Sequence, residues 1–204
     1  MNPFVILQKY YDPHSELYRI LVTHSVLVAK KALDLAANFQ ARQPQIEVDV
    51  NFIYEAAMLH DIGIFRCEAP EIFCAGREPY IRHGVIGREI LESEGLPRHA
   101  LVCERHTGAG LSQQDVMQQK LPLPARDYLP VSLEEKIICF ADRFYSKTPH
   151  KLFREKKLRK IHQKMQKWGP EIVGRFESLC DLLAPDWRGE LVESKSTNVY
   201  KISF

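Results

Sequence analysis

The stretch Phe52-Ile53-Tyr54-Glu55-Ala56-Ala57-Met58-Leu59-His60-Asp61-Ile62-Gly63 decides how this chain is read. It is an apolar run of helical character that ends on a His-Asp doublet. Histidine offers a neutral nitrogen ligand and aspartate an anionic oxygen, a mix that suits Fe, Mn, Ni or Zn rather than calcium. A polar ring at the end of an apolar helix must find partners or lose free energy. A shared metal would supply them. Alone, one His on an apolar face is more often a hydrogen-bonded core residue than a ligand. Here the doublet belongs to an ordered series with His24, His83, His106 and Asp142, each on its own predicted helix.

Outward from the doublet, helical periodicity holds almost everywhere. Leu17, Leu21, His24, Val28 and Leu35 share a face, so His24 points inward from a helix capped by residues 12–15. Asp49 or Asn51 can cap the next helix, and Gly63 is expected to close it as a C-terminal glycine. Residues 66–79 hold Pro70, Gly76 and Pro79 and read as a loop. Helices over about 80–94 and 97–106 carry His83 in a first turn and His106 at an end. Ser112-Gln-Gln-Asp115 and Ser132-Leu-Glu-Glu135 resemble capping boxes, the second more strongly. The helix opened by Ser132 brings Asp142 to its apolar side with Ile138 and Tyr145. Residues 121–130 contain three prolines and cannot be regular helix. Thr148-Pro149 reads as the start of a basic helix with an apolar stripe of Leu158, Ile161, Met165 and Trp168. A last helix is expected over 171–183. The fold class is therefore all-α, a bundle of about seven to nine helices in one domain over 1–184. Residues 185–204 read as a loosely held tail in which Val199 and Ile202 could form a short strand.

In helical bundles, metal sites are built from facing helices projecting into the core. His24, His60, Asp61 and Asp142 would hold a first divalent transition metal. His83 and His106 would hold a second, with Asp61 bridging through its two oxygens. Two metals about 3.5–4 Å apart clamp a phosphoryl group, and a water between them is acidified toward neutrality. Asp61 and His60 then carry the catalytic role without a Ser or Cys nucleophile. Arg66, Arg82, Arg143 and Lys147 lie near proposed ligands and are candidates for binding substrate phosphate. One or two metals are expected, Fe or Mn ahead of Ni, Zn or Mg.

His24, His60-Asp61-Ile62-Gly63, His83, His106-Thr107 and Ala141-Asp142 resemble the HD-domain metal-dependent phosphohydrolases, in the HDIG subgroup, over about residues 20–150. The resemblance implies an all-α fold, with His24, His60, Asp61 and Asp142 on one metal and His83 and His106 available to a second. His106-Thr-Gly and Leu133-Glu-Glu-Lys-Ile-Ile with Ala141-Asp142 are also similar to HD enzymes that cleave symmetrical dinucleoside tetraphosphates. Those usually continue after the last Asp with an Ile-Glu-Pro-type turn and an arginine, whereas Arg143-Phe-Tyr-Ser-Lys147 follows here. The Gly-Tyr-Pro signature of HD-type cyclic-di-GMP phosphodiesterases is absent.

The chain has 204 residues, 45% hydrophobic and 26% charged, the balance of a soluble globular protein. No apolar run approaches a membrane span, and residues 1–10 lack the basic start of a signal sequence, so a cytoplasmic location is expected. Five cysteines without C-x-x-C spacing argue against a disulfide framework and a zinc ribbon. Net charge is only +2, yet residues 147–167 carry nine Lys or Arg and one acidic residue. The resulting expectation is a hydrolase of a small phosphorylated, nucleotide-like substrate. The alternatives are a nucleotide-binding regulatory module without turnover, or a nucleic-acid-binding protein using the basic helix. A homodimer is possible, and neither a membrane nor nucleic acid is expected as partner.

Overall fold

The computed structural model describes residues 1–189 and 191 of the 204-residue chain. Among these residues the helices are α1 (Pro3–Tyr10), α2 (Glu16–Arg42), α3 (Val50–Leu59), α4 (His83–Ser93) and α5 (Pro97–Arg105). They continue with α6 (Gln113–Gln118), α7 (Leu133–Asp142), α8 (Leu158–Met165) and α9 (Pro170–Leu183). The expected all-α bundle is what forms. Within 66–79, read from sequence as a loop, a two-residue hairpin pairs Glu68 with Ala75 and Ala69 with Cys74.

Local sequence explains the helix starts. Ser15 accepts from the Tyr18 N–H and Asp49 from the Phe52 N–H, satisfying donors that a helix start leaves free. The Ser112–Asp115 box is reciprocal, with each side chain accepting from the other's backbone N–H. The Ser132–Glu135 box, expected to be the stronger, is half a box. Ser132 caps the Glu135 N–H, but the Glu135 carboxylate accepts from the Val131 N–H and from Arg105 instead.

The 27-residue α2, about 40 Å long, is the axis on which α3 and α7 pack, while α4 packs on α5. Buried side chains form two main clusters, one holding Val28, Ile53, Phe140 and Phe176, the other Leu21, Leu59, Ile62 and Leu91. On α2, His24 falls between Leu21 of one cluster and Val28 of the other. Trp187 is only 2% exposed and belongs to the larger cluster, so packing continues past the tail boundary expected at 185. Val199 and Ile202 lie outside the described residues.

Three further expectations are corrected. The segment 147–167 is not one helix: after α7 the chain makes a single 3₁₀ turn over Pro149–Lys151, and α8 begins only at Leu158. The cause is Lys156, whose backbone N–H donates to the Phe144 carbonyl and whose ammonium donates to the carbonyls of Arg143 and Tyr145. It satisfies the carbonyl end of α7 and folds the segment back on it. Within the expected apolar stripe, Leu158, Ile161 and Met165 are buried but Trp168 is 54% exposed.

Gly63 does not end the helix either. α3 stops at Leu59, and Gly63 lies inside a 3₁₀ turn over Ile62–Arg66. Its lack of a side chain serves close packing, since a Cβ there would meet the His83 carbonyl oxygen at 2.3 Å and the Gly87 nitrogen at 2.6 Å. Gly63→Ala is expected to push α4 away and destabilise the protein by about 1–3 kcal/mol. Chemical denaturation measures this, and an unchanged midpoint would show that the close approach carries no weight.

Candidate metal centre

The doublet works because the chain changes course within it. His60 still has helical angles, but Asp61 turns to φ −109°, ψ 13°. On a continuing helix adjacent side chains splay by about 100°. The turn removes that splay, and His60 Nε2 lies 2.9 Å from Asp61 Oδ2. α2 brings His24 Nε2 to 3.3 Å from the same oxygen and 2.9 Å from Asp142 Oδ1, at the end of α7. The other oxygen, Asp61 Oδ1, lies 3.5 Å from both His83 Nε2 and His106 Nε2. All six residues are at most 5% exposed. They form two ligand groups, His24-His60-Asp61-Asp142 and Asp61-His83-His106, that share Asp61.

Hydrogen bonds on the far side of the rings aim them. His60 Nδ1 donates to the Ala57 carbonyl at 2.6 Å, His83 Nδ1 to Tyr80 at 2.6 Å and His106 Nδ1 to Cys103 at 2.7 Å. Each carbonyl belongs to the residue three positions earlier, so the local backbone sets the ring. A neutral imidazole that donates from Nδ1 keeps a lone pair on Nε2. Burial holds three of the rings neutral, pushing His24 and His83 down to about 3 and His106 to about 4. The Nε2 atoms of His83 and His106 therefore face each other at 3.0 Å with a lone pair each. His60 Nε2 and Asp61 Oδ1 are buried without hydrogen-bond partners, and Asp61 Oδ2 has the Lys147 ammonium as its cation. Around Asp61 Oδ1 the lone pairs of His83 and His106 converge on a carboxylate oxygen, and such groups repel one another unless a further cation lies among them. This donor set fits a divalent metal.

Burial by itself would raise the Asp61 carboxyl, but the His60 ring and the Lys147 ammonium outweigh it and hold the group well below the usual carboxylate range. Lys147 Nζ lies 2.6 Å from Asp61 Oδ2. Burial alone would lower its ammonium, and the Asp61 carboxylate and Tyr80 raise it on balance.

A cavity of about 270 Å³ opens beside the ligands, lined by His24, Asp142, Arg143, Lys147, Lys156 and Lys164 among others. Of the four basic residues expected near phosphate, Arg143 and Lys147 line this cavity. Arg66 is exposed with its guanidinium against the Phe65 ring, and Arg82 pairs with Glu78 at 3.0 Å; neither lines the cavity. Lys156 and Lys164 also line it, and neither was among the four expected to bind phosphate. The only signal was the charge excess of 147–167, which cannot say which lysines turn inward. Cys67 and Cys74 belong to neither ligand group, and burial pushes their thiols up to about 11 and about 12.

Removing the Lys147 ammonium leaves the buried Asp61 charge without its closest cation. Lys147→Met should cost roughly 3–5 kcal/mol in chelator-treated protein, the range for breaking a buried ion pair. With a divalent metal bound the loss should be far smaller, because the metal neutralises Asp61. Urea unfolding in both states checks this, and equal losses would show that Lys147 supports the fold independently of Asp61.

The model of the HD domain matches residues 21–147, more than half of the chain. An uncharacterized protein of Methanocaldococcus jannaschii is 38% identical over 123 residues, covering 60% of this chain and 64% of that protein. A tRNA (cytidine(56)-2′-O)-methyltransferase of Picrophilus torridus is 33% identical over 128 residues, 62% of this chain but 32% of its own length. The enzyme of the same name from Thermoplasma volcanium is 31% identical over 127 residues, again 62% and 32%. The matched region thus spans less than two thirds of each of these relatives. No solved structure matches the chain. All six converging ligands fall within the stretch that matches the family model, and the chain belongs to the HD-domain family.

Proposed function

We propose that this protein is a metal-dependent phosphohydrolase that cleaves a phosphate ester or anhydride of a nucleotide-like substrate. The observation that carries this reading is the single carboxylate of Asp61, with one oxygen toward His24 and His60 and the other toward His83 and His106. Divalent metals held by these groups would acidify a water and withdraw charge from a phosphoryl oxygen. His24, His60, His83 and His106 would contribute nitrogen donors, and the burial of all six ligands keeps bulk water from competing with them. Arg143 and Lys147, at the wall of the adjoining cavity, are suited to bind phosphoryl oxygens, Arg143 through a planar pair of donors. Lys156 and Lys164 extend the same cationic wall.

A second reading, binding of tRNA, draws on the names of two relatives and on the exposed Lys151, Arg154, Lys157, Lys160, Lys164 and Lys167. It requires binding of chelator-treated protein to tRNA that weakens steeply with salt. Salt-insensitive or undetectable binding would remove it.

Asp61→Ala should lose both metal and phosphate release, because no other ligand serves both groups. The unpaired buried histidines left behind should cost about 1–3 kcal/mol in stability. His83→Ala and His106→Ala should each retain one metal per chain and lower turnover more than the about 100-fold seen for outer-sphere partners. Elemental analysis alongside phosphate release from a panel of nucleotides is the measurement. One metal in the wild type, with both histidine variants fully active, would leave a mononuclear site.

A further inference from the structure

A second cavity, about 400 Å³, lies on the other side of the cationic wall. It shares Arg143, Lys156 and Lys164 with the cavity at the ligands, so the two adjoin. Its character is different. Ile81, Leu111, Leu121, Ile161, Met165 and Ile172 give it apolar walls, and Trp168 lies on its rim with 54% of its surface exposed. Thr107, Gln119 and Lys160 add a few polar groups.

We propose that this second cavity is the specificity pocket for the organic half of the substrate, and that it takes a flat aromatic group attached to the phosphate. The proposal rests on the phosphohydrolase reading above and adds what the substrate must carry. Three arguments support the occupant. The volume falls in the ~300–1,000 Å³ range of small-molecule sites, which are mostly apolar with a few convergent polar groups. The cations are concentrated at the junction with the ligand cavity, so a molecule lying across both would have its anionic end at the metals and its neutral end among the apolar side chains. Most of the apolar far wall, Ile161, Met165, Trp168 and Ile172, lies on residues beyond 21–147, outside the match to the family model. That part of the wall is thus outside what the family model describes, where substrate selectivity is free to differ between family members.

The floor of the pocket is built rigidly. Gly110 has φ +81°, and a Cβ there would meet Pro130 at 2.7 Å, so the 107–111 turn is pressed against the segment that ends at Pro130. Leu111 and Tyr128 exchange backbone hydrogen bonds at 3.1 and 2.7 Å across the same region. Asp115 pairs with Arg175 on α9, which ties this side of the pocket to the other. A preformed apolar pocket loses little freedom on binding, so the ring it buries should contribute fully to affinity.

The test compares two non-hydrolysable probes, 1-naphthylmethylphosphonate and methylphosphonate, by calorimetry on metal-loaded protein. They share the phosphonate and differ by the ring. The wild type is expected to bind the naphthyl probe at least about tenfold more tightly, given the apolar area of one ring. Leu121→Glu, a half-buried wall position away from the metal ligands, should reduce that preference below about threefold. Methylphosphonate affinity and metal content should be unchanged, and Leu121→Met should behave as wild type. Trp168 emission gives an independent signal that should respond to the naphthyl probe alone. Equal affinity for the two probes in the wild type, or a preference that survives Leu121→Glu, overturns the pocket assignment. Phosphate release from 1-naphthyl phosphate and from nucleotides is measured separately. Its absence would overturn the hydrolase reading and leave the binding preference to be judged on the calorimetry.

Discussion

A fully buried carboxylate is the constraint around which this molecule is arranged. Asp61 has no exposed surface, and an ionised carboxylate removed from water is costly unless positive charge replaces the lost solvation. Around it stand the rings of His24, His60, His83 and His106, and one lysine ammonium at 2.6 Å. The rings cannot neutralise it, because burial keeps His24, His83 and His106 from taking up a proton near neutral pH. A divalent cation held by these residues would resolve several unfavourable contacts at once. It would add to the counter-charge of Lys147 and offset the 3.0 Å approach of the His83 and His106 nitrogens.

That geometry depends on how closely the surrounding helices approach. Gly63 lets the turn after Asp61 touch the first turn of α4, and Gly84 lets α4 approach the carbonyl of Cys103 on α5, where a Cβ would lie at 2.6 Å. The Cys103 carbonyl is one residue-turn before His106 and accepts from its ring. Small side chains at the crossings therefore fix where His83 and His106 lie relative to Asp61. The energetic reason is steric: packed interiors transmit a shift of an ångström rather than absorb it.

The chain divides its labour between a ligand-bearing part and a wall-bearing part. Residues up to 147 carry every ligand of the centre and one side of the second cavity, while α8, α9 and the segment before them supply its other side. Lys156 joins the two, since its ammonium binds the carbonyls at the end of α7, directly after the ligand Asp142. Bonded there, it lines both cavities, so one lysine of the 147–167 charge run is held against the core of the molecule.

The sequence by itself determined what depends on short-range chemistry. The 3.6-residue period, the caps at Ser15, Asp49 and Ser112, and the His-Asp doublet at a helix end are all read within a few residues. The six ligands could be named because each is a polar group that an apolar helical segment cannot leave unpartnered. Tertiary structure decided what depends on which surfaces meet. Gly63 has the same appearance whether it ends a helix or admits a neighbour, and only the position of α4 shows the second. Arg66 and Arg82 lie as close in sequence to the ligands as Arg143 and Lys147 do, yet only the latter pair turns into the cavity. Sequence distance sets how far a side chain can be from its neighbour on the chain; the path of the backbone, fixed by long-range packing, sets which side of the molecule it faces.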